Sequence, residues 1–142
     1  MNVPVRSTFA LNQFVRTDEI EWQQLHEPGV TGVFGKVLRY DEATRRAPTI
    51  LLKFDAGATY PAHNHPGGEE IFVLEGDIRL GKDTLRKGDY LYTAPNNKHA
   101  VASERGCIVL ANVPQQVEIL TFGPARGDEA GNIATPSSTA ET

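Results

Sequence analysis

Cysteine is almost missing from this chain. Cys107 stands alone, so no internal disulfide can form and nothing demands an oxidising compartment. Long apolar runs are missing as well: no stretch nears the roughly 20 residues of a bilayer-spanning helix. The opening MNVPVRSTFALNQFVRTDE lacks the apolar region of a secretory signal. Clustered positive charge is the third absence. EATRRA is the densest basic spot and the formal charge is −4. Nucleic acid and anionic membrane surfaces are bound through clustered Lys and Arg, so neither is an expected partner. A cytoplasmic protein is the default expectation.

Sustained helical periodicity is also scarce, and what replaces it is informative. Thirteen glycines and nine prolines fall at short intervals among 142 residues, a length that holds one domain with a real core. Short β-prone runs lie between them: GVFGKVLRY (32–40), TILLKF (49–54), EEIFVLEG (69–76), IRLG (78–81), YLYTA (90–94), HAVAS (99–103), CIVLANV (107–113) and VEILTF (117–122). DEATRRAP, DAGA, HPGG, GKD, RKGD, PNN and SERG supply the turns. IEWQQL (20–25) reads as strand or as a single turn. Many short strands without helical alternation mean an all-β sandwich or barrel. In TILLKF, Lys53 should face out, which turns Leu52 and Phe54 inward. IFVLEG is apolar on both faces, so an N-terminal segment or a second subunit must cover its outside, and a homodimer is expected. The organisation expected is an N-terminal arm (1–14), one barrel domain (15–122) and a disordered tail (123–142), because GPARGDEAGNIATPSSTAET has almost nothing to bury.

Chemistry concentrates in one place. His63 and His65 are two of only four histidines, and residues i and i+2 of a strand project from one face. Glu69 follows four positions after His65, across the PGG turn, and can return to the same point. Imidazole with carboxylate suits borderline divalent ions such as iron, zinc, manganese and nickel. His99, at the turn-to-strand junction APNNKH, is the natural further ligand. An HxH pair alone is common decoration of a strand; its conjunction with a carboxylate, a Gly-rich turn and a third histidine is what points to a metal. His26, in LHEPG, has no such company and reads as a surface or turn residue. Cys107 opens an apolar run and reads as a buried, inert thiol.

The segment resembles the first cupin motif, which reads G, five residues, H, one, H, three or four, E, six, G. Gly57, His63, His65, Glu69 and Gly76 meet every position. Six residues separate Glu69 from Gly76 and five separate Glu70 from it, so the resemblance selects Glu69. The second motif reads G, five, P, one, G, two, H, three, N. Gly88, Ala94, Asn96, His99 and Ser103 keep its spacing, with three departures in residue type. Asn96 is the substitute best able to take a left-handed turn conformation, and Pro95 can stiffen that turn. More loosely, residues of about 15 to 113 are similar to the ChrR-like cupin family, through HPGGEE, FVLEG, EW, PGV and RGC.

That resemblance implies a cupin, a double-stranded β-helix or jelly-roll barrel. It implies one divalent metal per chain, iron(II) or zinc foremost and manganese or nickel next, on His63, His65, Glu69 and His99. Family members include dioxygenases of diketones, flavonols and hydroxyaryl ketones, as well as isomerases, cyclases and sensor domains. The expectation is an Fe(II)-type oxygenase of a small enolisable ketone, diketone or phenol, with Glu69 able to accept a proton. Tyr60, Leu52, Phe54, Phe72, Tyr90, Tyr92 and Val101 are the candidate pocket walls. The alternatives are a zinc-binding ligand-sensing or regulatory domain with no open metal position, or a metal-dependent isomerase or cyclase. The roughly fifteen residues ahead of the cupin-like region hold no His or Cys, so a stand-alone anti-sigma role is not expected.

Overall fold

The computed structural model describes residues 6–8, 12–122 and 134–138. Twelve strands account for nearly all of it, joined by tight turns and one 3-10 turn, Thr17–Glu19. In chain order they are β1 Arg6–Thr8, β2 Asn12–Phe14, β3 Gln23–Gln24, β4 Thr31–Asp41, β5 Arg46–His65, β6 Glu69–Leu80, β7 Asp83–Arg86, β8 Tyr90–Thr93, β9 Asn97–Ala102, β10 Cys107–Asn112, β11 Glu118–Phe122 and β12 Ala134–Ser138.

β5 organises the barrel. Its first half lies between β4 and β10, with Leu52 opposite both Gly35 and Val109. Its second half pairs with β9, from Thr59 opposite Ala102 to His65 opposite Asn97, and with β11 at His63 and Asn64. β10 and β9 both pair with β6. The ladder therefore returns on itself through β5, β10, β6 and β9, and all pairings are antiparallel. Closure removes most open strand edges and encloses one interior.

Alternation sorts the side chains between that interior and the outside. On β4, Val33 and Val37 are buried; on β5, Ile50 and Phe54; on β6, Ile71 and Val73; on β10, Val109 and Ala111. Each buried aliphatic side chain of this size contributes about 1.5–3 kcal/mol of transfer free energy. Lys53 lies on the opposite side from Phe54, its ammonium 5.2 Å from the Trp22 ring centroid and 5.0 Å from that of Phe34. Lys36 caps the same Trp22 ring at 4.6 Å and donates to the Thr17 carbonyl at 2.8 Å. The segment from Thr17 to Trp22 thus covers the outside of β4 and β5. It does not cover β6 and β8, where Phe72 (40%), Leu74 (37%), Tyr90 (56%) and Tyr92 (56%) stay exposed.

Several elements differ from the sequence reading. DAGA is no interruption, because β5 runs through it and changes partners there; Gly57, at φ +85°, takes the bend and donates to the Ser103 carbonyl. EEIFVLEG and IRLG form one strand, and DTLR, assigned to no strand from the sequence, is β7, paired with the end of β6. Of the tail expected to be disordered, residues 134–138 instead form β12, paired with β11; the other tail residues lie outside the described set. In the N-terminal arm, β1 and β2 form a hairpin. Gln13 anchors it by exchanging two hydrogen bonds with the Tyr40 backbone, at 2.7 and 2.9 Å.

Candidate metal centre

Three strands bring the site together. On β5, His63 and His65 share the inward face, and His63 pairs directly with His99 on β9. Side chains of directly opposed residues lie on one side of a sheet, so pairing delivers the third imidazole without any special loop. Glu69 enters from the start of β6, after the Pro66–Gly68 turn. The His65 carbonyl positions both flanking turns: it accepts from the Gly68 amide at 3.1 Å and from the Asn96 amide at 2.7 Å. Gly68 has φ +80°, and a Cβ there would sit 2.8 Å from the Thr93 carbonyl oxygen. Asn96 has φ +65°, the left-handed conformation expected for it.

The geometry is tight. One ring nitrogen from each of His63, His65 and His99 lies within 4.8 Å of the others. His65 Nε2 is 3.1 Å from His99 Nε2, and Glu69 Oε1 is 3.3 Å from the former and 3.6 Å from the latter. Metal–ligand bonds of about 2.1 Å place neighbouring donors about 3.0 Å apart at octahedral angles and about 3.4 Å apart at tetrahedral ones. The separations among His65, His99 and Glu69 fall around those values, and nitrogen with carboxylate oxygen is a donor set for iron, zinc, manganese or nickel. Glu69 Oε1 is buried without a hydrogen-bond partner among the described residues, which leaves its lone pairs free for an ion. His63 Nδ1 donates to the Pro61 carbonyl at 2.7 Å. A carbonyl only accepts, so the proton is on Nδ1, and Nε2 of the neutral ring is left bare as a ligand atom.

Electrostatics hold the two β5 histidines in their ligating state. Burial, with the nearby His99, lowers His63 to about 4, against the opposing pull of the Pro61 carbonyl. Burial, then His63 and His99, lowers His65 to about 3. Both are neutral near pH 7, as metal binding requires. Glu69 is raised by burial, against the stabilising His99.

The site opens on a narrow cavity. The space among its lining atoms is about 450 Å³, of which about 30 Å³ is wide enough for the centre of a water molecule. Its walls are mostly aliphatic, and the polar residues among them are Tyr60, His63, His65 and Glu69. Leu52, Phe54, Tyr60 and Val101 line it. Burial, then Glu27 and Glu69, raises the Tyr60 hydroxyl above its ordinary value, which keeps it a neutral donor. Phe72, Tyr90 and Tyr92 do not line the cavity: Glu69, Ile71 and Val73 take the inward positions of β6, and Thr93 is the buried residue of β8. Glu70 shares the outer face and accepts from the Tyr90 hydroxyl at 2.8 Å. His26 is exposed, and the buried Cys107 thiol is pushed up to about 11, chiefly by desolvation. Sequence reasoning missed Ile71, which shares the parity of Glu69, and Leu25 and Val117, for which no local signal exists.

A closed antiparallel barrel with three histidines turned toward one another inside it defines a cupin with a candidate metal site. The chain belongs to the ChrR cupin-like domain family, whose pattern matches residues 11–116. Its fold is similar to that of a proposed acetylacetone dioxygenase from Methylibium petroleiphilum PM1, at 19% identity and a TM-score of 0.71, covering 92% of each chain. An acetylacetone dioxygenase from Acinetobacter johnsonii is similar at 15% identity and a TM-score of 0.71, over 94% of this chain and 92% of the other. The Rhodobacter sphaeroides complex of SigE with the anti-sigma ChrR holds a chain similar at 28% identity and a TM-score of 0.54. That match covers 69% of this chain and 50% of the other. No curated protein sequence matches this one.

Proposed function

We propose that this protein is a metal-dependent oxygenase of the Fe(II) type, acting on a small enolisable ketone, diketone or phenol. The observation that carries the reading is the convergence of three imidazoles and a carboxylate at one wall of a small apolar cavity. His63, His65, Glu69 and His99 would hold the ion, which supplies Lewis-acid and redox chemistry when bound. The protein's own part is positional and protolytic. Pro61 fixes the His63 tautomer, and the aliphatic walls exclude water from the reacting atoms. Glu69 Oε1 is the basic oxygen in the cavity, and its raised affinity for protons suits it to take one from an acidic C–H or O–H. The likeness to two chains described as acetylacetone dioxygenases supports the same choice, at identities that speak for fold alone. We place the enzyme in the cytoplasm; among the described residues no helix is long and apolar enough to cross a membrane.

A zinc-binding sensory domain is the second reading, favoured by the similarity to a chain of the SigE–ChrR complex. Metal analysis and oxygen uptake separate the two. The purified protein should carry close to one transition metal per chain; His99→Ala should lose most of it and Glu70→Ala none. Reconstituted with Fe(II), the protein should consume oxygen with a member of a β-diketone, hydroxyaryl ketone and flavonol panel. Tightly held zinc without oxygen uptake would decide for the sensor, and a folded, metal-free protein would overturn both.

A further inference from the structure

Tyr60 carries a group that the metal site does not use. The residue is 6% exposed, and its hydroxyl is buried with no hydrogen-bond partner among the described residues. The ring packs edge-on against His63, with centroids 4.8 Å apart and planes at 74°. That contact needs only a benzene ring, so phenylalanine would serve it without burying an unsatisfied O–H. The hydroxyl is therefore surplus to packing. It belongs to a residue lining the same cavity as His63, His65 and Glu69. An oxygen acceptor on a ligand there would gain a donor.

We propose that the Tyr60 hydroxyl donates a hydrogen bond to a second oxygen of the ligand at this site. Tyr60 thereby selects small molecules with two nearby oxygens over mono-oxygenated ones. The proposal rests on the functional reading above and adds its specificity determinant. It rests on geometry, since Tyr60 and the metal-ligating His63, His65 and Glu69 line one cavity.

The test uses the full chain loaded with zinc, so that no turnover intrudes. 2,4-Pentanedione and 2-pentanone are titrated calorimetrically into wild type and Tyr60→Phe. Wild type should bind the diketone better than 2-pentanone. Tyr60→Phe should bind the diketone roughly three- to tenfold more weakly, the worth of one hydrogen bond. Its affinity for 2-pentanone should not change. Metal content should stay the same, and the melting temperature should hold or rise, because no internal hydrogen bond is lost. If wild type binds the diketone and the variant binds it equally well, the proposal is wrong and the metal-site reading stands. A drop for both ketones with a lowered melting temperature would make Tyr60 structural, and the proposal would again fall. If wild type binds neither ketone, the oxygenase reading fails and takes this inference with it.

Discussion

Acid should unfold the metal-free protein earlier than an ordinary barrel of this size, and the amount can be worked from two side chains. His63 and His65 have folded-state values near 4 and 3 against 6.5 in the unfolded chain. Both are lowered, so the unfolded chain takes up protons first. The stability they carry is complete above pH 6.5 and is lost as pH falls toward 4 and 3. At pH 5 the linkage relation gives a loss of about 2 kcal/mol for each. Glu69 works the other way: its raised affinity lets the folded state bind a proton before the unfolded one does, offsetting part of that loss. With a urea m-value of about 2 kcal/mol per molar, each histidine moves the midpoint by about 1 M. The measurement is urea denaturation of chelator-treated protein at pH 7.5, 6 and 5, beside His65→Gln, which should respond with roughly half the slope. A midpoint that stays level or rises between pH 7.5 and 5 would refute the claim that these rings are buried as neutral bases.

Two further predictions concern the frame around the site. Gly76 sits at φ +78°, where a Cβ would meet the Gly106 carbonyl oxygen and come 2.8 Å from the Cys107 Cα. Gly76→Ala should therefore cost about 2–5 kcal/mol, left-handed strain plus overpacking. Gly88→Ala, with φ +90° and open space around it, should cost only about 1–2 kcal/mol; equal losses in denaturation would remove the steric argument. The outer face of β6 and β8 leads to the other prediction, a homodimer. A two-fold axis over that face would set β6 and β8 of one copy against those of the other. The exposed Phe72, Leu74, Tyr90 and Tyr92 would be covered nearby. We propose that arrangement; sedimentation should give a dimer for wild type and a monomer for Phe72→Asp, and a monomeric wild type would exclude it.

What the chain determines by itself is local. Spacing and turn chemistry are enough to place most strands and to put His63 and His65 on one face, and the resemblance to the cupin motifs adds the choice of Glu69 over Glu70 and a left-handed backbone at Asn96. Each of these depends on neighbours in sequence: strand parity, a Gly-rich turn, or the steric limits on φ. Parity ends where both faces of a strand are apolar. In IFVLEG it could not say whether Phe72 or Ile71 looks inward, and only closure of the barrel turned Ile71 to the cavity and left Phe72 outside. DAGA shows the same boundary, since a glycine with positive φ ends a strand or bends one according to whether new partners wait beyond it; here β9 does. The direct opposition of His63 and His99, the approach of Glu69 and the buried hydroxyl of Tyr60 are likewise products of long-range pairing. Sequence could nominate those groups. The register of an antiparallel ladder, closed over distant segments by hydrogen bonds and burial, decided the distances between them.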